Sequence, residues 1–205
     1  DNDSNLSFIN TVTAQLIKEF GEKGNPYTTS MEVWTTMDPD KQDHINKIMS
    51  GDTWKWENDN VTAGIAVIDV KTGAISAVGG GRNLVARGTN TALDIKKQIG
   101  STSKPIYDYA PGIEYENWST YEPFTDEKYA YSDGTEINNW DVKYEGFLTA
   151  RTALAHSRNV SALKAFQANK NSNILKFVKG LGLHPEESNG FVHEAHAIGG
   201  YNGEY

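Results

Sequence analysis

Gly100-Ser101-Thr102-Ser103-Lys104-Pro105 is the stretch from which the rest of this chain is read. A serine and a lysine three positions apart share one face of a helix, so Ser101 Oγ and Lys104 Nζ can come within hydrogen-bond reach. A lysine can take a serine proton only after shedding its own. Lowering an amine from about 10.4 to near 7 corresponds to roughly 4–5 kcal/mol of differential stabilisation, which burial and neighbouring polar groups can supply. Free N–H groups at a helix N-terminus also favour a developing oxyanion. Pro105 is tolerated cheaply only in a first turn, so the helix is predicted to begin at or just before Ser101, to run through Ala110 and to stop at Pro111-Gly112. The plain alternative is a helix N-terminus with a cap serine and a solvated lysine.

Ser157-Arg158-Asn159 stands 56 positions after Ser101. Its outer residues do not share a helix face, but at a helix break both can point into one cleft. Alternatively, the serine closes one helix and the asparagine opens the next. Between the two motifs, Glu114–Glu145 is long, aromatic and polar, an extended excursion of the kind that serves a site.

Outward from these motifs the pattern is mixed. Asn5–Phe20 carries apolar residues three or four apart and reads as a helix that Asp3 or Ser4 can cap. Met31–Thr36 alternates as a short strand, and Asp38-Pro39 marks the start of a helix over Asp40–Met49. Val61–Asp69 and Ala74–Gly79 read as a hairpin around Lys71-Thr72-Gly73, apolar enough to be covered on both faces. Gly79-Gly80-Gly81 lets the backbone pass close to another group. Thr149 is predicted to cap a helix from Ala150 to about Ser157. Val160–Asn169 continues helical, and Ser172 or Asn173 opens a further helix. The tail from His184 is polar and glycine-rich and supplies no packing element.

Composition excludes several classes. A net charge of −8 with only short basic pairs such as Lys96-Lys97 disfavours a nucleic-acid partner. No run approaches the apolar length needed to span a bilayer. The absence of cysteine removes disulfides, thiolate zinc sites and cysteine nucleophiles. His193 and His196 have no further ligand grouped with them and read as a solvated stretch. Asp126 and Glu127 form no recognisable catalytic pair, and Gly79-Gly80-Gly81 lacks the spacing of a phosphate loop.

Taken in order, the motifs resemble a known family. Gly100–Ile106 followed by Tyr109-Ala110 closely resembles the active-serine motif of bifunctional (class A) high-molecular-weight penicillin-binding proteins. Thr149–Leu154 and then Ser157-Arg158-Asn159-Val160 look like its second motif with the helix that precedes it. Trp34–Pro39 with Gln42, Ile68–Ile75 with Val78–Gly80, and Asn139-Trp140-Asp141 with Tyr144-Glu145-Gly146 match the surrounding transpeptidase domain.

The resemblance implies an α+β (mixed α/β) fold of the serine β-lactamase and transpeptidase type, an antiparallel sheet with flanking helices, incomplete in this chain. Residues 1–30 are then a linker with a leading helix, and 31–205 the N-terminal portion of the transpeptidase domain. It makes Ser101 the nucleophile, Lys104 its general base, Ser157 the relay toward the leaving amine, and Asn159 the residue that holds Lys104 and the substrate amide. Peptidoglycan stem peptides and β-lactam antibiotics are the implied partners, with no metal or organic cofactor. The parent is expected at the extracytoplasmic face of the cell membrane, with a membrane anchor and a glycosyltransferase domain outside this sequence.

The family also needs a Lys-(Thr/Ser)-Gly motif after the other two. Lys71-Thr72-Gly73 precedes Ser101 and is explained by the hairpin turn, so a second polypeptide carrying the rest of the domain is expected. Ile99 stands where the family commonly has proline. Three rivals are a serine β-lactamase, which needs a deacylating glutamate such as Glu186, Glu187 or Glu194; an antibiotic-sensing receptor domain; and a catalytically silent wall-binding scaffold, which forms no adduct on Ser101.

Overall fold

The computed structural model describes residues 5–84, 88–94 and 96–204, with only the backbone for 202–204. The chain divides into two compact units, Asp1–Ile95 and Lys96–Tyr205.

In the first unit, α1 spans Leu6–Phe20, as the apolar stripe predicts, and buries Phe8. The capping expectation on Asp3 or Ser4 lies outside the described residues. Met31–Thr36 is not a strand. It meets the rest of the unit through Thr36 Oγ1, which donates to Ile75 O at 2.6 Å, a side-chain bond in place of a backbone ladder. Asp38 caps α2 (Pro39–Ser50), its carboxylate accepting from the N–H groups of Asp40 and Lys41, with Pro39 where its missing N–H is harmless.

The hairpin is β1 (Ile65–Ile68) against β2 (Ile75–Gly79). It is shorter than predicted because Gly64 abuts Thr91 and Ala92, where a Cβ would sit 2.7 Å from Thr91 O. Asp69 Oδ1 accepts from Lys71 N and Thr72 N and shapes an exposed turn there. Nor is the hairpin covered on both faces. β2 is mostly buried over Ile45 and Met49, whereas β1 alternates and leaves Ile68 exposed. Gly80 fulfils the close-approach expectation, since a Cβ there would meet Asn90 Oδ1 at 2.6 Å.

The second unit carries the motifs. After β3 (Lys96–Gln98), a 3₁₀ turn over Gly100–Ser103 runs into a wide π-turn, Pro105–Tyr109, and then α3, Ala110–Tyr115. Pro111-Gly112 therefore does not stop the helix. The π-turn restarts the hydrogen-bond ladder at Ala110, whose N–H reaches Pro105 O, so Pro111 falls in a new first turn. Gly112 is needed for a different reason, because a Cβ would lie 2.0 Å from the Trp118 ring.

The excursion is more regular than predicted. β4 (Pro123–Asp126) pairs with β7 (Gly146–Thr149), and within that span β5 (Tyr129–Ala130) pairs with β6 (Glu136–Ile137). Thr149 Oγ1 accepts from Thr152 N and caps α4 (Ala150–Ala155), followed by α5 (Asn159–Ala168) and α6 (Asn171–Gly180). Tyr107, Val160, Leu163, Phe166, Ile174 and Val178 form the main core.

The polar tail also departs from expectation, because it packs. Short strands β8 (His184–Pro185), β9 (Glu187–Ser188) and β10 (Phe191–Val192) lead to a 3₁₀ turn, Glu194–Ile198. Val192 and Ala197 enter the main core. β11 (Asn202–Glu204) then lies between β3 and β8. His196 is 1 % exposed, wedged against Tyr107 and Tyr201, so it is a core side chain and not a solvated one. Every strand pairing among the described residues is antiparallel.

Candidate active site

Ser101 and Lys104 lie on the turn that follows β3. Residues i and i+3 eclipse in a 3₁₀ turn, and Lys104 N–H closes that turn on Ser101 O. The two side chains thus start from one edge but diverge. Ser101 is exposed, while Lys104 has no exposed surface. Lys104 Nζ lies 2.8 Å from Ser157 O, 3.1 Å from Ser157 Oγ and 2.7 Å from Asn159 Oδ1. Among the described residues no hydrogen bond joins it to Ser101.

Two of those neighbours are carbonyl oxygens, which can only accept; the third is a hydroxyl, which can also donate. A neutral amine therefore fits the same cage by giving its two N–H bonds to the carbonyls and taking the Ser157 proton on its lone pair. Burial lowers Lys104 to about 8. Asp108 opposes the shift and the Arg158 charge adds to it.

The second motif sits at the break between α4 and α5. Ser157 N donates to Leu154 O and Arg158 N to Ala153 O, the hydrogen-bond pair of a Schellman helix end. That motif puts its outer residue in the left-handed region, and Ser157 has φ 53°. Glycine is the usual occupant. Serine accepts strain there of order 1 kcal/mol, and in return places a hydroxyl against Lys104.

A strap from the excursion wraps this break. Asn139 Oδ1 accepts from Asn159 N at 2.8 Å and from Val160 N at 3.2 Å; Asn159 Nδ2 donates to Asn138 O at 2.8 Å. Asn139 Nδ2 donates to buried Asp126 at 2.7 Å. Arg158, also fully buried, binds Asp126 at 2.8 Å, Asp141 at 3.1 Å and Glu145 at 3.3 Å, and donates to Lys143 O. Trp140 Nε1 reaches His156 O at 3.3 Å and leaves its ring exposed.

All four sequence candidates therefore lie in the second unit, and Lys104, Ser157 and Asn159 are in direct contact. Ser101 shares their turn without contact to the amine. Arg158, Asn139 and Asp126 were missed as members of the site. Asp126 was dismissed for lacking a carboxylate partner, when its partner is a guanidinium. The available signal was a lone arginine inside the second motif, with three acidic residues in the excursion before it.

Asp108, one turn beyond Lys104, is fully buried, and the described protein offers neither of its carboxyl oxygens a hydrogen-bond donor. Burial pushes this carboxyl well above its usual range, against the pull of Lys104. A carboxyl with a raised folded-state value stabilises the fold most below its unfolded value of about 3.9, and that contribution is lost as pH rises toward the folded value, at about 1.4 kcal/mol per unit. Asp108→Asn removes the proton linkage but keeps the shape. Thermal unfolding of the complete domain is expected to show the variant melting several degrees above the parent at pH 7, with the difference closing toward pH 3.5. A variant that is less stable at pH 7 would overturn this account.

Residues 63–200 match the family model for the penicillin binding protein transpeptidase domain. The chain is 43 % identical over 191 residues to penicillin-binding protein 1A/1B of Bacillus subtilis, covering 92 % of this chain and 21 % of that protein. Against penicillin-binding protein 1A of Streptococcus pneumoniae it is 34 % identical over 183 residues, covering 86 % of this chain and 25 % of the relative. In fold it is similar to the penicillin-binding protein PonA1 from Mycobacterium tuberculosis, with a TM-score of 0.81 at 21 % identity, covering 98 % of this chain and 54 % of that one. The chain thus spans about a quarter of the length of the curated relatives it matches. Its fold is the mixed α/β transpeptidase type, and the chain belongs to the penicillin-binding-protein transpeptidase family, as a homologue of part of the class A high-molecular-weight members.

Proposed function

We propose that this chain supplies the acylation machinery of a serine DD-transpeptidase that cross-links peptidoglycan stem peptides. Ser101 Oγ attacks the carbonyl between the two terminal D-alanines, and its proton passes to Lys104. Ser157 relays a proton to the departing amine, and the terminal D-alanine leaves. The amine of a neighbouring stem peptide then attacks the ester and frees Ser101. A β-lactam stops after the first step because its leaving group stays tethered. Asn159 holds Lys104 and the substrate amide.

The observation that carries this reading is the buried Lys104 amine, held by neutral acceptors from Ser157 and Asn159. A merely solvated lysine predicts none of it. The family further suggests a membrane-linked, extracytoplasmic parent with a glycosyltransferase domain. Among the described residues no helix is long and apolar enough to cross a membrane. The sequence's one Lys-Thr-Gly is the exposed turn between β1 and β2, so the test uses the complete domain together with whatever sequence supplies the downstream lysine motif.

Intact mass after mixing that domain with a penicillin should rise by one drug equivalent and stay raised, with no rise for Ser101→Ala. An unchanged parent mass would sink the acylation reading and favour the silent scaffold. Equal labelling of the alanine variant would move the nucleophile elsewhere, and rapid loss of the adduct would favour a β-lactamase.

A further inference from the structure

We propose that Arg158, the middle residue of the second motif, is a positioning residue: its guanidinium fastens the 138–145 strap onto the Ser157–Asn159 break and stands as a fixed positive charge near Lys104. The inference rests on the acylation reading above and assigns a role to a residue which that reading leaves as a spacer.

The geometry gives Arg158 more anchoring contacts than a surface ion pair has. It has no exposed surface, and its donors go to Asp126 on β4, to Asp141, and to Lys143 O, with Glu145 also in ion-pair range. Asp126 is equally buried and uses its other oxygen to hold Asn139. Asn139 in turn accepts the N–H groups of Asn159 and Val160, and Asn159 Oδ1 accepts from Lys104. The route from guanidinium to amine is therefore a continuous run of hydrogen bonds: Arg158, Asp126, Asn139, Asn159, Lys104. Planar, bidentate guanidinium geometry suits several acceptors at once, and an ammonium on a flexible stem does not.

Charge works in the same direction. The ionisable groups acting on Lys104 are Asp108 on its own turn and Arg158 on the facing break; behind Arg158 stand Asp126, Asp141 and Glu145. The positive charge of Arg158 disfavours a second one on Lys104, so it helps the amine to be neutral.

Two variants of the complete domain separate positioning from bulk stability. Arg158→Met with Asp126→Asn removes the buried pair together, avoiding a stranded charge. Acylation by a penicillin at its pH plateau should fall at least about tenfold, chiefly in the first-order step and not in reversible binding, and the acidic limb should move up by about half a pH unit. Arg158→Lys keeps the charge and loses the fork. Its acidic limb should stay in place while its plateau rate falls.

Amide exchange at Asn159 and Val160 should accelerate in both variants. A purely structural role would lower the melting temperature and leave the limb and the plateau rate of the folded protein unchanged. Plateau rates within twofold of the parent overturn the proposal, and if the double variant does not fold, the Arg158→Lys result decides. Unchanged exchange at Asn159 and Val160 overturns it even if the parent is not acylated, a result that would count separately against Ser101 as nucleophile.

Discussion

Lys104→Ala is expected to slow acylation of the complete domain by at least about a hundredfold, the scale of a lost general base, while the fold is retained. The buried amine is the group to which the Ser101 proton goes, and no other titratable side chain contacts Ser157 Oγ or Asn159 Oδ1 among the described residues. The pH dependence gives a second, independent reading. Only neutral Lys104 can accept a proton, and its value is lowered to about 8. In the parent the acylation rate should therefore rise about tenfold per unit up to pH 8 and level above it. That limb should vanish from the residual rate of the alanine variant. Because alanine also opens a cavity and unpairs two carbonyls, Lys104→Met is the control that keeps the volume. Stopped-flow acylation across pH checks all three proteins. A methionine variant within tenfold of the parent, or an alanine variant that keeps the limb, would remove Lys104 from the base role.

Gly199→Ala is the second large effect, and it comes from a residue with no chemistry. Gly199 ends the 3₁₀ turn of the tail at φ 72° and packs backbone to backbone on the nucleophile turn, with Gly100 N–H donating to Gly199 O. A Cβ at 199 would stand 2.1 Å from Gly100 O and 2.3 Å from Gly100 N. Backbone atoms cannot swing aside as a side chain can. Either the tail or the turn carrying Ser101 must move, and left-handed strain is added to the clash. A loss of about 3 kcal/mol or more in unfolding free energy is expected, with acylation reduced in whatever fraction remains folded. Gly182→Ala, also at positive φ but with open space around its Cβ position, separates the two contributions: it should lose only the left-handed part, about 1 kcal/mol. Equal losses at the two glycines, by chemical denaturation, would mean that the close approach to Gly100 does not matter.

What could be read in advance follows from range along the chain. Asp38-Pro39, Thr149 and the Ser101/Lys104 pair act over three or four residues, so their spacing alone carries the local geometry. The break at Ser157 was legible as a break, but nothing local announced that a serine would take glycine's place in the Schellman end. Arg158 meets Asp126 across 32 positions, and a lone arginine has no periodicity to betray it. The tail was misread because its burial rests on a few side chains, such as Val192, His196 and Ala197, set among polar and glycine residues with no stripe. Met31–Thr36 shows the opposite failure, an alternating pattern whose backbone found no strand to pair with.

The π-turn at Pro105–Tyr109 makes chain length itself a constraint. Such a turn holds one residue more than an α-helical turn would. Deleting any one residue between Lys104 and Ala110 would relax it to ordinary winding and rotate the following segment by about 100°. Tyr109 would then leave its packing against Phe124, and the Trp118 ring would lose the gap it fills at Gly112. Within these five positions a change of amino acid is therefore easier to accommodate than a change of count.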